Sequence, residues 1–462
     1  MVRAGSLLWW LLVVAAGFFA APAFAQDSAD RKRTETLLGP FPREVQDSAV
    51  ISPDVRHVAY VRKTTGGQLV VLDGKPQKTY DKVAELTFSP DGKSLAYAAQ
   101  TGGKWLMVCD QKEQGPYERV GRPVFSPDSK HLAYVIMLAD ERRAVVLDGK
   151  PGKPCDLVLD GRIVFSPDSS RIAYGAQKEG QWYLVAGEQE LGPYAFLGSA
   201  TGYQFSKDGK RLAFAAMRAD KKWCLVIDGQ AQAPHQNMAN MVFSSDGKRV
   251  AYAAQDADKW WVVAGATKHG PYDAVGEDTL QFSPDDSKLA YAAQLGQQWC
   301  VVVNGKPEKK YDAVADILFS PNGRSLAYAV KQGGYEMVVL NGREQRLFDR
   351  VGGGTLVFSP NSQHFGYIAR VGRARCVVID GKRKRRYDMV AYLNFSPDSR
   401  YFIYVALAGG KAFSVVDEKE AAVRYDGVWN VRGGRIMFAP HKKFYYLAVK
   451  EENIYLVEEQ VD

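Results

Sequence analysis

Histidine and serine are the residues that could carry acid–base, nucleophilic or metal-binding chemistry in this chain, and their spacing favours none of these. The six histidines form no H-x-x-x-H or H-E-x-x-H pair of metal ligands. His57, His131 and His364 follow the same kind of turn in separate parts of the chain, so we expect them to be solvated. No G-x-S-x-G nucleophile motif occurs. We therefore expect a protein that is not an enzyme, with no catalytic residue, metal site or cofactor.

The five cysteines are an odd number, which leaves at least one thiol unpaired. Cys109, Cys224, Cys300 and Cys376 fall in the same kind of strand, in segments that are not adjacent along the chain, and Cys155 lies between two such segments. A disulfide requires Cα atoms within roughly 7 Å of each other. The spacing therefore predicts buried thiols rather than disulfides.

Aromatic residues recur where a β-branched strand begins, and they are the first candidates for contacting a partner. Tryptophan and tyrosine rings suit peptides and sugars because they combine a large apolar surface with a polar atom. An alternative interpretation is that each ring packs between neighbouring repeat units. The candidates are Trp105, Trp182, Trp223, Trp260, Trp299 and Tyr335.

Basic residues form the second candidate set, in a chain whose formal net charge is +8. The run Lys382, Arg383, Lys384, Arg385 and Arg386 is the densest part, and we place it in a hairpin turn. Further Lys and Arg residues recur after the turn of each unit, so one face of the molecule should be positive. Such a face suits anionic partners, although solubility and protection of sheet edges would explain it equally well.

Both sets belong to an internal repeat that dominates the sequence. Its signature is FSPDGKSLAYA from Phe88, and related segments recur at intervals of 37 to 43 residues. Eleven copies begin at Ile51, Phe88, Phe125, Phe165, Phe205, Phe243, Phe282, Phe319, Phe358, Phe395 and Phe438. Repeats of this length are typical of propellers and solenoids.

Each repeat unit predicts four short strands, lettered a to d along the chain. Strand a ends in the Phe, and Ser-Pro-Asp-Gly makes the a–b turn, so Asp91 is expected to be a turn residue. Strand b alternates large and small residues, as Leu95 to Ala98 do. Strand c is β-branched and is followed in six units by Asp-Gly or Asn-Gly, a strong hairpin signal. We assign strand d to the Tyr-Asp-x-Val segment, as in Tyr80 to Val83.

Four strands in about 38 residues, without helical periodicity, predict an all-β fold, a β-propeller of about eleven four-stranded blades. Propellers usually have about four to eight blades. We therefore favour one unusually large ring and keep two propellers of five and six blades as the alternative. The last unit ends after strand c, and Gly39 to Val45 resembles a strand d. An N-terminal strand should therefore close the last blade.

The F-S-P-D-G-K-x-L-A-Y unit resembles the WD-repeat-like blade of the TolB-type propeller family over residues 39–462. That resemblance implies a propeller with a binding role in the cell envelope. The sequence departs from the family in one respect, because TolB-like proteins carry an α/β domain before the propeller. Here only the short segment 26–38 lies between the N-terminal leader and the repeats.

Residues 1–25 combine Arg3, an apolar run and the small-x-small site Ala23-Phe24-Ala25, the pattern of a cleaved secretory signal. A retained anchor is the alternative, although the run is shorter than the roughly 20 residues that span a membrane. We expect a periplasmic or secreted protein that does not span the membrane after cleavage. Its expected partner is an envelope protein or peptide, alternatively an anionic polysaccharide or envelope surface, and not nucleic acid. An enzyme with an unrecognised site in the channel is a further alternative.

Overall fold

The computed structural model describes residues 28–29, 31–159, 162–198, 202–428 and 435–461. The signal sequence expected at residues 1–25 lies outside these ranges. Nearly every described element is a strand, and the strands form eleven sheets of four principal strands each, arranged in one ring. The prediction of a single eleven-bladed propeller is confirmed, and the alternative of two smaller propellers is wrong. Among the described residues, no helix has the length and apolar character needed to cross a membrane.

Strands a and b form one half of each blade, and strand a is split in six blades. From blade 1 to blade 11, strand a spans Val50–Ile51, Lys82–Phe88, Arg119–Val120 with Val124–Phe125, Leu157–Val158 with Val164–Phe165, Phe196–Leu197 with Tyr203–Phe205, Asn237–Phe243, Ala274–Val275 with Gln281–Phe282, Ala313–Phe319, Arg350–Val351 with Val357–Phe358, Met389–Phe395, and Gly427–Val428 with Met437–Ala439. Strand b spans Val58–Thr64, Leu95–Thr101, Leu132–Met137, Ile172–Lys178, Leu212–Met217, Val250–Asp256, Leu289–Leu295, Leu326–Gln332, Phe365–Val371, Phe402–Ala408 and Lys443–Lys450.

Strands c and d complete each blade, and strand d lies at the outer edge of its sheet. Strand c spans Gly67–Leu72, Lys104–Cys109, Arg143–Leu147, Gln181–Ala186, Trp223–Ile227, Lys259–Ala264, Gln298–Val303, Tyr335–Leu340, Ala374–Ile379, Lys411–Val416 and Asn453–Gln460. In blades 1 to 10, strand d spans Lys75–Tyr80, Lys112–Tyr117, Lys150–Pro151, Gln189–Tyr194, Gln230–His235, Thr267–Tyr272, Lys306–Tyr311, Arg343–Glu344, Lys382–Tyr387 and Lys419–Ala421. A short 3₁₀ helix, Arg43–Ser48, precedes blade 1.

The core of the protein lies between blades, because each blade covers the face of its neighbour. In blade 2, Leu95 and Tyr97 on one face pack against Ala59 and Val70 of blade 1. Ala96 on the opposite face packs against the corresponding bulky residues of blade 3. The alternation of large and small residues along strand b is thus the pattern that lets successive blades stack.

The assignment of strand d to the Tyr-Asp-x-Val segment is wrong. The two-residue hairpin at Asp73-Gly74 lets strand d begin at once, so it runs over Lys75–Tyr80 and ends where we expected it to start. Asp81 lies in the crossover to the next blade, and its carboxylate accepts the N–H of Gly102 at 2.8 Å. Asp312 makes the same contact with Gly333. The motif therefore links one blade to the b–c turn of the next.

The Ser-Pro-Asp-Gly turn is held by a buried serine. Ser89 donates its hydroxyl hydrogen to Asp91 at 2.7 Å and accepts the N–H of Ser94 at 3.0 Å. Gly92 has φ +76°, and a Cβ there would lie 2.5 Å from Oδ1 of Asp54 in the preceding turn. The same serine is buried in blades 1 to 10: Ser52, Ser89, Ser126, Ser166, Ser206, Ser244, Ser283, Ser320, Ser359 and Ser396.

The N-terminal segment completes blade 11 as expected, but its strand d is Arg33–Pro40, which pairs antiparallel with Asn453–Gln460. The expected strand at Gly39 to Val45 is wrong, because the chain turns into the 3₁₀ helix at Arg43. Arg31, immediately before strand d, makes a buried ion pair with Glu459 at 2.7 Å, and their side chains are 5% and 1% exposed. Glu459 also accepts the hydroxyls of Ser414 and Tyr446, each at 2.7 Å. These bonds satisfy the buried carboxylate and fix the closing strand against blades 10 and 11.

Removing the closing ion pair should destabilise the protein strongly. Glu459→Gln leaves Arg31 buried without its counter-ion, which typically costs about 3 to 5 kcal/mol. The matched control is Glu458→Gln, since Glu458 pairs with Lys443 in a partly exposed position and such pairs contribute about 1 kcal/mol or less. Urea unfolding followed by circular dichroism measures both variants. Equal losses for the two would show that the buried pair does not hold the closure.

Acid should weaken the fold through the turn aspartates. The hydroxyl of Ser166 lowers the pKa of Asp168 from 3.8 to about 2, and Ser283 does the same for Asp285. A carboxylate with a depressed pKa stabilises the folded state above its unfolded pKa and loses that contribution as the pH falls. The urea midpoint should therefore drop between pH 4 and pH 2, and less steeply in Ser166→Ala/Ser283→Ala. An identical pH dependence in the variant would contradict this assignment.

Candidate functional site

Five of the six candidate aromatic residues are packed into the fold to some degree. Trp182 is 7% exposed and lies in the cluster between blades 4 and 5 with Leu184 and Phe214. Trp223 is half-buried against the apolar cluster between blades 5 and 6, and Trp299 against the one between blades 7 and 8. Trp105 and Trp260 are also half-buried. The structure thus places the tryptophans largely between blades, which leaves little of Trp182 available to a partner.

The sixth aromatic residue, Tyr335, differs from the tryptophans because its side chain is 52% exposed. It begins strand c of blade 8, where blade 7 has Gln298, and Glu336 stands where blade 7 has Trp299. Trp299 lies opposite Tyr311, the last residue of its neighbouring strand d. In blade 8 the corresponding bridge joins Glu336 to Phe348, so Tyr335 lies one residue before the tryptophan position, opposite Gln332 of strand b.

The basic run does not lie in a hairpin turn but forms strand d of blade 9, Lys382–Tyr387. The hairpin is complete at Asp380-Gly381, so the chain is already extended when the run begins. Lys384 pairs with Glu418 at 2.6 Å and Arg385 with Glu420 at 2.9 Å, both on blade 10. Two of the five charges are therefore used to hold neighbouring blades together.

Much of the basic character after the a–b turns is also structural. The guanidinium group of Arg171 donates to the backbone oxygen of Lys210 in the next turn at 2.9 Å. Arg211 donates to the oxygen of Lys248 at 2.8 Å, and Lys288 to that of Arg324 at 3.0 Å. These cations join successive turns, so the expected positive face is in part an inter-blade network.

A surface pocket between blades 8 and 9 brings together one member of each candidate set. It has a volume of about 160 Å³ and is called the blade 8 pocket below. Tyr335 comes from the aromatic set and Arg383 from the basic run. The lining residues are Tyr335, Arg346, Leu347, Phe348, Asp349, Val371 and Arg383.

The blade 8 pocket has an apolar centre between two cations. Leu347 is 53% exposed, while the adjacent Phe348 is buried and forms the floor. Within the described part of the chain, Arg346 and Arg383 have no ion-pair partner. The carboxylate of Asp349 accepts the N–H of Gly372 and so takes part in the crossover. The geometry suits an apolar side chain that lies close to a negative charge.

Sequence reasoning missed Leu347 and the residues that form the floor of the pocket. The signal was present in the alignment of repeats, because Leu347-Phe348 stands where blade 7 has Lys310-Tyr311. The outer strands of the other blades are rich in charged residues and proline, so an exposed leucine in this strand is unusual. The difference can be recognised only once the register of strand d is known.

The three histidines that follow the a–b turns make structural contacts. His57 Nδ1 lies 2.7 Å from Asp73 Oδ2, and the other oxygen of Asp73 accepts the N–H of Val58. His131 and His364 make the same contact with Asp148 and Asp380. Across the described ranges, no group of three or more His, Cys, Asp or Glu side chains could hold a metal ion.

The cysteines are unpaired thiols in the structure. Cys155, Cys224, Cys300 and Cys376 are buried, and Cys109 is half-buried. Burial raises the pKa of Cys155 to about 11. Thiols that remain protonated at neutral pH are poor nucleophiles, so the buried cysteines behave as core residues.

Comparisons with known proteins bear on the fold alone. No protein-family model matches the chain, and no curated protein matches it. Solved structures that resemble it include a eukaryotic initiation factor, at 12% identity and a TM-score of 0.40, covering 86% of this chain and 97% of that chain. The Dos1 propeller matches at 11% identity and a TM-score of 0.33, covering 64% of this chain and 90% of that chain. Dihydro-haem d1 dehydrogenase NirN matches at 14% identity and a TM-score of 0.34, covering 66% of this chain and 74% of that chain. TM-scores below 0.5 carry no functional information, and the TolB-type resemblance stays a prediction.

The difference between packed and exposed aromatic residues is measurable. Trp182→Ala should destabilise the protein by about 3 to 5 kcal/mol because it removes a buried ring. Tyr335→Ala should change the stability by no more than about 0.5 kcal/mol, as is usual at exposed positions. Thermal unfolding of the two variants makes the comparison. A large loss for Tyr335→Ala would assign that ring to the core and remove it from the candidate site.

Proposed function

We propose that this protein is an exported, non-enzymatic β-propeller that binds a protein or peptide partner in the cell envelope. The observation that carries the proposal is the blade 8 pocket, where exposed Tyr335 and Leu347 lie beside two guanidinium groups that make no ion pair with the described residues. Tyrosine and arginine are enriched among the residues that dominate the energy of protein interfaces. The pocket is smaller than the roughly 300 to 1,000 Å³ of small-molecule sites, and its volume suits a single side chain of a larger partner.

Export is the second part of the proposal, and the N-terminal sequence supports it. The basic residue, apolar run and small-x-small site of residues 1–25 are together typical of a secretory signal. The TolB-type resemblance of the repeat points to the same compartment. Large, rigid rings with many loops are suited to presenting binding residues.

A second candidate function is the binding of an anionic polysaccharide or envelope surface. Lys382, Arg383 and Arg386 favour it, because within the described residues none of the three makes an ion pair. Binding that depends on exposed charges is screened by salt, whereas binding through a buried apolar contact is screened much less. Salt dependence therefore separates the two candidates.

The proposal predicts specific capture of an envelope protein through the blade 8 pocket. Affinity capture from an envelope extract, at low and high salt, should retain a discrete protein that is lost with Tyr335→Ala or Leu347→Ser. Leu157→Ser is the matched control, since Leu157 is also exposed but lies on blade 4. Capture lost with salt or with Lys382→Gln/Arg383→Gln/Arg386→Gln, but kept in Leu347→Ser, would favour the anionic surface instead. Capture unchanged in every variant would contradict both candidates.

A further inference from the structure

The outer strand of each blade exposes a sheet edge that could pair with another chain, and most of these edges contain proline. Proline has no N–H, so at an edge it removes a donor that an added strand would need. Blades 1 to 7 and blade 11 have a proline within strand d: Pro76, Pro116, Pro151, Pro193, Pro234, Pro271, Pro307 and Pro40.

Blades 8, 9 and 10 lack this proline, and two of them are protected in other ways. Strand d of blade 10 is covered by a fifth strand, since Ser28–Ala29 pairs parallel with Glu420 and Ala421. Strand d of blade 9 consists of five consecutive cations before Tyr387, and charge is a common device against edge pairing. Among the described residues, blade 8 has neither a covering strand nor an unbroken run of cations, since Glu344 and Gln345 lie between Arg343 and Arg346. Blade 10 also shows that an outer edge of this propeller can accept an added strand.

The edge of blade 8 keeps the backbone donor that proline removes elsewhere. Glu344 lies opposite Val339, the register position that Pro307 has opposite Val302 in blade 7. Because a proline is accommodated there, the N–H of that position points away from strand c. The neighbouring N–H groups of Gln345 and Phe348 are used inside the blade, bonding Val338 O and Glu336 O at 2.8 Å.

We propose that an extended, acidic segment of a partner protein adds to blade 8 as a fifth strand along Arg343–Phe348. One apolar side chain of that segment enters the blade 8 pocket between Tyr335 and Leu347, and a carboxylate meets Arg346 and Arg383. Strand addition of this kind takes its affinity from backbone hydrogen bonds and its specificity from side-chain pockets. This inference rests on the proposed function and specifies its partner chemistry and binding mode.

Charge selects this occupant over a second copy of the chain. Two blade 8 edges paired with each other would bring Arg343 and Arg346 of one copy close to the same residues of the other. Like charges on facing strands are destabilising. An acidic segment instead neutralises Arg346 and Arg383, which have no ion-pair partner among the described residues.

The test uses the purified protein and a phage-displayed library of random decapeptides as the probe. Peptides enriched on the wild type should carry an aromatic or leucine residue close to Asp or Glu. Glu344→Pro places at blade 8 the residue that blades 1, 3 and 7 have at this position. It should weaken binding of a synthesised selected peptide by at least about ten-fold. Glu344→Ala is the matched control, and should weaken it less than about three-fold, since it loses only the side-chain contacts with Lys309 and Tyr311.

Methylation of alternate backbone nitrogens in the selected peptide should lower its affinity as strongly as Glu344→Pro, because it removes the peptide donors to the carbonyl oxygens of blade 8, as Glu344→Pro removes the donor of blade 8 to the peptide. Strand addition is overturned if the library yields no peptide enriched on the wild type over Glu344→Pro, or if N-methylation has no effect. It is also overturned if sedimentation shows a dimer that Glu344→Pro dissociates. Envelope capture that depends on Leu347 but not on Glu344→Pro would overturn strand addition alone. Capture independent of both would overturn the proposed function as well.

Discussion

The structure depends on one packing constraint: no blade can cover both of its own faces. Strand b carries bulky residues on one face and alanine on the other, and burial of either face requires a neighbour. Tyr97 covers Ala59 of the preceding blade, and Ala96 is covered by the following one. An open array would leave one bulky and one small face in water at its ends. Ring closure is therefore the condition under which all eleven blades are stable.

Ring closure requires residues 33–40 to pair with a strand at the other end of the chain. The strand Arg33–Pro40 is separated from its partner Asn453–Gln460 by nearly the whole chain, so its pairing carries a large loop-closure entropy. A buried polar cluster offsets part of this entropy cost, because both carboxylate oxygens of Glu459 are hydrogen-bonded. Their partners are Arg31, Ser414 and Tyr446. Tyr425 adds a bond to Glu35 at 2.6 Å, and this fixes the strand to the preceding blade. The ends of the ring are thus held by polar contacts as well as by apolar packing.

Sequence periodicity was sufficient for the fold, because the requirements of one blade recur along the chain, the buried serine in ten blades and the Asp-Gly or Asn-Gly hairpin in six. The buried serine, the Asp-Gly hairpin and the alternation of strand b are local patterns, and repetition made each of them unambiguous. Strand d was misplaced for the opposite reason. Its residues, such as Lys75 to Tyr80, are polar and mostly exposed, so they carry no hydrophobic signal, while Tyr80 and Asp81 are prominent because they contact the next blade. A conspicuous motif at a blade junction was interpreted as a strand.

The candidate site was less accessible to sequence reasoning because it is an exception to the repeat. Tyr335 was grouped with five tryptophans, yet it lies one register position earlier in strand c than they do, and that offset is visible only in the pairing of the strands. The basic run drew attention by its density, although Lys384 and Arg385 serve blade packing. Arg346 and Leu347 stand out only against the proline and charge of the other outer edges. In a repeat protein, conformity to the repeat reports on folding, and departures from it report on function. Blade 8 departs in the residue that opens its strand c, in its edge and in the charges beside that edge, and the three departures adjoin one pocket.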